Sequence, residues 1–117
     1  MIIDLAKQFS PYPSGRFPAD GSFNGQRFRE EILLPALIAA MPRVGEKVVV
    51  DIDGVRSFGS SFLEEAFAGL VRNGSLSRRE LEDKLEIVCT KPHLQFFKDS
   101  IMTYIRQALP SQASVHA

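Results

Sequence analysis

Two adjacent serines, Ser60 and Ser61, stand where a buried strand gives way to an amphipathic helix in the stretch VVVDIDGVRSFGSSFLEEAFAGLVR. Hydroxyls at a helix start can accept hydrogen bonds from the free N–H groups of the first turn, or stand beside an anion that those groups and the helix dipole hold. Ser61 and Glu64 have capping-box spacing, in which hydroxyl and carboxylate each satisfy one free N–H, and Ser60 lies in the loop just before. Arg56, in the same turn, and Arg16, in an earlier loop, carry guanidinium groups suited to a phosphate or carboxylate. Arg16 also has Asp20 nearby, and a pair between them would hold that loop closed. His93 falls at a helix start and His116 in the tail, so they form no nucleophile relay and read as surface residues. No glycine-rich phosphate loop, metal-ligand spacing or acid–base pair stands out. No catalytic residue, metal or cofactor is expected, and the chain reads as a non-enzyme.

The elements that must position these groups follow from hydrophobic periodicity. Val48, Val49, Val50 and Ile52 form a β-branched run suited to a strand covered on both faces. Phe62, Leu63, Ala66, Phe67, Leu70 and Val71 then recur at helical spacing, until Asn73 and Gly74 end the helix. Upstream, Met1 to Leu5 suits an edge strand, and Phe9 to Ser22 is an ordered loop with a short strand around Arg16 and Phe17. Gly25 to Met41 is helical, capped by Asn24 or Ser22, with Phe28, Ile32, Leu33, Ala36, Leu37 and Ala40 inward. Pro35 inside that pattern should kink or split the helix, because it lacks a donor and clashes with the preceding turn.

After a turn at Pro42 to Glu46 come the strand and helix already described. A second capping box, Ser77 with Glu80, opens a short polar helix to about Asp83. Lys84 to Thr90 is a strand that contains the single cysteine, Cys89, read as a buried inert thiol. Pro92 starts a last helix carrying Leu94, Phe97, Ile101, Tyr104, Ile105 and Leu109. Glu30, Glu31, Glu64 and Glu65 fall on outer helix faces, where they would be solvated. The expected core joins Val49, Ile52, Phe62, Phe67, Ile87, Cys89, Phe97 and Ile101 around a central strand from Lys47 to Asp53.

At 117 residues and 44% apolar content, the chain suits one domain, residues 1–109, with a disordered tail at 110–117. Basic and acidic residues number 14 each, so no field gathers nucleic acid or an anionic membrane. The N-terminus lacks a basic, then apolar, leader, which points to a soluble, cytoplasmic protein.

Strands alternating with helices predict an α/β fold with a mixed or mostly parallel sheet packed by helices. The run from Asp51 to Leu63, DIDGVRSFGSSFL, resembles the signature of STAS domains, the fold of sulfate-transporter and anti-sigma-factor-antagonist modules. Gly21-Ser22-Phe23-Asn24 before a helix resembles that family's motif ahead of its first helix. More closely, SGRFPADGSFNGQRFREE together with SSFLEEAFAGLVR is similar to bacterial STAS-like domains of undetermined function.

The resemblance implies a regulatory interaction module. Its partner would be a protein, of the histidine-kinase-like ATPase kind, and its phosphoacceptor falls on Ser60. The contact surface would draw on Arg16, Asp20, Ser22, Asn24, Arg56, Gly59, Ser61, Phe62 and Glu64. Gly59 stands for the family's Asp, Phe62 for its Gly and Asn24 for its Asp, giving a bulkier and less acidic surface. Two alternatives remain open. A small-ligand or nucleotide domain would use the helix start at Ser60 and Ser61 as an anion site. A receiver-like protein would take phosphate on Asp51 or Asp53, with Thr90-Lys91-Pro92 nearby.

Overall fold

The computed structural model describes residues 1–111. Three strands, β1 (Ile2–Asp4), β2 (Val48–Asp51) and β3 (Leu85–Val88), form a sheet in that order, parallel throughout, with β2 in the centre. The sheet is therefore α/β as expected, and wholly parallel among the described residues. Register aligns Ile3, Val50 and Ile87 in one row and Ile2, Val49 and Glu86 in the next. Because side chains alternate along a strand, the first row faces the core and is buried. In the second row Ile2 and Glu86 are exposed and Val49 is half-buried.

The helices cover one face only, so the reading of β2 as covered on both sides is corrected, and Val49 leaves the expected core. The edge position of β1 matches the sequence, and a short helix that it did not suggest follows, α1 (Leu5–Gln8). Asp4 caps it by accepting from the Lys7 N–H at 3.1 Å.

Two helices pack the covered face against each other. The first, α2, spans residues 25–40 as an α-turn (Gly25–Phe28), a π turn (Arg29–Leu33) and an α-segment (Leu34–Ala40). Pro35 neither splits it nor stops it. Leu34 donates one residue further back than usual, to the Arg29 carbonyl. The widened turn thus falls where proline withholds its own donor and crowds the turn before it. The second, α3, spans residues 60–72 with the same design: Ser60–Leu63, a π turn at Glu64–Ala68, then Gly69–Arg72. Gly74, with φ of 76°, closes it in the left-handed region that glycine adopts without strain.

The buried core contains Phe28, Leu33 and Leu37 from α2, Val48 and Val50 from β2, Ile52 just after it, and Phe62, Phe67 and Leu70 from α3. The polar helix α4 (Arg78–Lys84) has the expected capping box at Ser77 and Glu80. Lys84 ends this helix instead of starting β3. Its Nζ donates to the Arg43 and Glu46 carbonyls at 2.8 and 3.2 Å, which holds the turn before β2. A short turn at Pro92–Leu94 leads into α5 (Gln95–Gln107), which buries Ile101 and Ile105.

Other sequence expectations change. Phe97 and Cys89 are half-buried at the margin of the core, the Cys89 thiol lying 3.8 Å from Gln95 Oε1, and Leu109, beyond α5, is exposed. Arg16 and Phe17 form no strand. In the expected tail, the Ser111 amide donates to the Arg72 carbonyl at 2.9 Å. The rest, including His116, lies outside the described residues.

At Gly25, α2 comes close to α3. A Cβ there would stand 2.8 Å from Glu65 Cβ, 2.9 Å from the Phe62 carbonyl oxygen and 3.0 Å from the Ala66 nitrogen. Two of these neighbours are backbone and cannot turn aside. Gly25→Ala is expected to destabilise the fold by about 1–3 kcal/mol, as overpacking does. Urea denaturation with an unchanged slope checks it; no shift in midpoint would mean that the helices separate freely.

Candidate functional site

The loop before α2 and the start of α3 form one surface. Gly59 is the residue before α3, and its N–H donates to the Pro13 carbonyl at 3.2 Å while the Arg56 N–H donates to the Pro11 carbonyl at 2.8 Å. Gly25 and Gln26 donate to the Gly15 and Arg16 carbonyls, both at 2.9 Å. The loop is thus stitched to both helices. Asp20 closes it from within by accepting from the Arg16 and Phe17 N–H groups at 2.9 and 3.1 Å, and those backbone bonds hold its carboxyl below the ordinary carboxylate value. The expected Arg16–Asp20 side-chain pair does not form.

Arg16 reaches instead to α3. Its Nη1 meets Glu64 Oε1 at 2.5 Å and Glu65 Oε1 at 3.4 Å. Arg72 joins the same two carboxylates at 2.6 and 3.0 Å, and Arg29 of α2 meets Glu65 Oε2 at 2.5 Å. Glu64 and Glu65 are therefore joined to Arg16, Arg29 and Arg72 in an ion network, not solvated as expected, and the side chains of Arg29 and Glu65 are only 5% and 6% exposed.

The π turns build this network. In α3 the shifted ladder gives the Gly69 N–H to the Glu64 carbonyl. The Glu65 carbonyl, its partner in a regular α-helix, accepts from Arg29 Nη1 at 2.6 Å. Gly69 makes the space, since a Cβ there would collide with the Arg29 guanidinium.

The signal for this cluster was present but easily misread. Arg29 interrupts the apolar stripe of α2 between Phe28 and Leu33, and Glu65 sits four residues before a glycine. A charge on an inner face requires a buried partner, and a glycine on the facing helix gives the long side chain room.

The network also dissolves the capping box expected at Ser61 and Glu64. Glu64 goes to arginines, whose charge-assisted bonds outweigh a bond to a free backbone N–H. The helix starts two residues early, at Ser60, with Gly59 before it and no side-chain cap. Burial acts to raise the Glu64 carboxyl, but hydrogen bonds from Arg72 and Arg16 outweigh it and hold the group below its ordinary value.

A carboxyl depressed in the folded state stabilises fully above its unfolded pKa, about 4.3 for glutamate, and loses that contribution as pH falls through the folded value. Glu64→Gln should therefore be less stable than wild type at pH 7, with the gap narrowing on acidification below about pH 4.3. Urea midpoints across that window check the prediction; a gap independent of pH would contradict it.

The remaining candidates separate into two groups. Asn24 is buried and structural: its Oδ1 caps α2 by accepting from the Arg27 N–H at 2.9 Å and its Nδ2 donates to the Gly21 carbonyl at 2.9 Å. Phe62 is fully buried with ring centroids 5.9 Å from Phe28 and 6.1 Å from Phe58, so it presents no surface to a partner. Half-buried Phe58 takes the place beside Ser60 that Phe62 was expected to hold.

Ser22, Arg56 and Ser60 are exposed, and Gly59 and Ser61 are half-buried. Asp51 and Asp53 serve the backbone. Asp51 Oδ1 accepts from the Asp53 N–H at 2.9 Å; Asp53 accepts from the Thr90 N–H at 2.7 Å, Thr90 Oγ1 at 2.8 Å and the Lys91 N–H at 3.3 Å. The Thr90 bonds hold the Asp53 carboxyl below its ordinary value. This clamp ties the loop after β2 to the loop after β3. Among the described residues no cluster of three or more His, Cys, Asp or Glu is placed to hold a metal ion, and no helix is long and apolar enough to cross a membrane.

A family model described as a STAS-like domain of unknown function (DUF4325) matches residues 24–95, which include α2, the sheet strands β2 and β3, and the serine turn. No curated protein and no solved structure matched.

Proposed function

Because the chain belongs to the family of STAS-like domains of unknown function, we propose that it is a regulatory protein-interaction module switched by phosphorylation of Ser60. Its contact surface joins the α3 start to the N-terminal loop. The observation that carries the reading is the state of Ser60: exposed, first in a thirteen-residue helix, and with a hydroxyl that has no hydrogen-bond partner among the described residues. A hydroxyl that serves as a cap would be occupied; this one is available to a kinase.

A phosphate there adds a charge of about −1.5 to −2 at the positive end of the helix dipole, a place worth roughly 0.3–1 kcal/mol to an anion. The modified helix therefore stays folded while its surface changes sign. Phe58, half-buried beside Ser60 in sequence, gives the contact an apolar component, and burying a new charge against it would cost desolvation. The partner class we infer is an ATPase of the histidine-kinase-like kind, which would both bind the surface and modify it. The role is one of binding, and no residue of the chain is assigned to catalysis.

Ser60→Ala and Ser61→Ala are both expected to leave stability within about 0.5 kcal/mol of wild type, since neither hydroxyl caps the helix. Ser60→Asp should weaken capture of the partner. The test is a pull-down from native cell extract with wild type, Ser60→Ala and Ser60→Asp as baits, read by mass spectrometry. An ATPase enriched by wild type and Ser60→Ala but lost with Ser60→Asp supports the switch; identical protein sets from all three baits would overturn it.

A further inference from the structure

We propose that the chain has a second site, away from the Ser60 hydroxyl, that binds a small molecule bearing a phosphate or diphosphate group. Gly54, Val55, Arg56, Lys91 and His93 line a concavity of about 490 Å3. Two loops build it: the first leaves the carboxyl end of β2, and the second leaves the carboxyl end of β3. The size of this concavity falls within the range of small-molecule sites.

The lining chemistry defines the ligand. Three of the five residues carry basic side chains, although the whole chain has a formal net charge of zero. Arg56, Lys91 and His93 are all exposed, and their side chains make no hydrogen bond or ion pair among the described residues. Arg16, the other arginine singled out from the sequence, is committed to Glu64 and Glu65. Arg56 therefore finds its companions in Lys91 and His93.

Two carboxylates stand close by. Asp4, whose Oδ1 would lie 3.9 Å from a Cβ on Gly54, accepts from the Lys7 N–H. Asp53 draws the Lys91 charge and is occupied by the Thr90 and Lys91 groups that it accepts from. Its role is to lock the two loops together, so that the backbone carrying the basic side chains is held before a ligand arrives. Gly54 adds to this rigidity, since a Cβ there would stand 2.8 Å from Ala6 Cβ, and the loop is pressed against α1. Buried Val55 supplies an apolar floor. A guanidinium fork, an ammonium and an imidazole around one concavity match the oxygens of a multiply charged phosphate group better than a single carboxylate.

The test is titration of the 15N-labelled chain with pyrophosphate at fixed ionic strength, followed by amide NMR. Saturable shifts are expected at Gly54, Val55, Arg56, Lys91 and His93. Arg56→Gln and Lys91→Gln should each weaken binding roughly tenfold, the loss of one charge-assisted contact. Arg79→Gln, which removes a charge from α4, should leave it unchanged. Absence of saturation at millimolar pyrophosphate, equal weakening by Arg79→Gln, or shifts centred on Ser60 would each overturn the proposal. The site does not depend on the regulatory reading, because the titration needs neither a protein partner nor a modified serine.

Discussion

Arg29→Ala should destabilise the fold by about 3–5 kcal/mol, the loss expected when one member of a buried ion pair is removed. The guanidinium satisfies both the Glu65 carboxylate and the Glu65 carbonyl oxygen, at 2.5 and 2.6 Å. Alanine leaves the carbonyl without this donor and opens a void over Gly69. The same geometry makes a second measurement diagnostic. Gly69→Ala alone must displace a guanidinium held by those bonds. In the Arg29→Ala background the added methyl enters the vacated space. A double-mutant cycle by urea denaturation should therefore show strong coupling between positions 29 and 69. Additive effects would mean that Arg29 does not occupy the Gly69 notch.

Phe67→Ala is expected to cost about 3–5 kcal/mol, the range for deleting a buried aromatic ring. Phe67 is fully buried on α3, its ring centroid 6.1 Å from that of Phe28 on α2. The lost ring would leave a cavity between the two helices that cover the sheet, where the π turns and the ion network limit collapse. A loss below about 1 kcal/mol would place Phe67 off the core face, since only exposed or readily refilled positions lose so little.

What the sequence revealed and what it concealed have a common cause. The strand Val48–Asp51 and the inward face of α3 were legible because burial imposes a period, and a β-branched run or a helical stripe displays that period directly. The sheet's open face was not legible, since Val49 is chemically equal to its neighbours and only the covering helices decide which side of a parallel strand is wet.

The capping box at Ser61 and Glu64 was a sound local rule that lost to tertiary pairing. Nothing within four residues of Glu64 shows that Arg16 and Arg72 converge on it. The second box, at Ser77 and Glu80, formed as expected, and no arginine competes for that glutamate. The π turns were hidden for a similar reason. Pro35 announced a disturbance in α2 but could not show that the helix would widen instead of ending. Nor could the sequence show that Arg29 would lock onto the corresponding widening in α3.

Ser60 is exposed, but its neighbours were read from a linear motif that the fold rearranges. Phe62 turns into the core, Asn24 becomes a cap, and Arg16 becomes part of the scaffold. The surface that the proposed partner would meet is thus smaller than the motif implied: Ser60, Phe58 and the stitched loop. The scaffold beneath, from Gly25 to the arginine network, packs α2 against α3 below that turn.

The most direct measurement of the switch is the site and chemistry of phosphate acquired by the chain in native cell extract supplied with ATP, mapped by mass spectrometry after acid and hydroxylamine treatment. The account predicts phosphate on Ser60 that survives both treatments, because a serine ester is stable where an acyl phosphate is not, and its loss in Ser60→Ala. Hydroxylamine-labile phosphate on Asp51 or Asp53, or no phosphate on the wild-type chain, would contradict it.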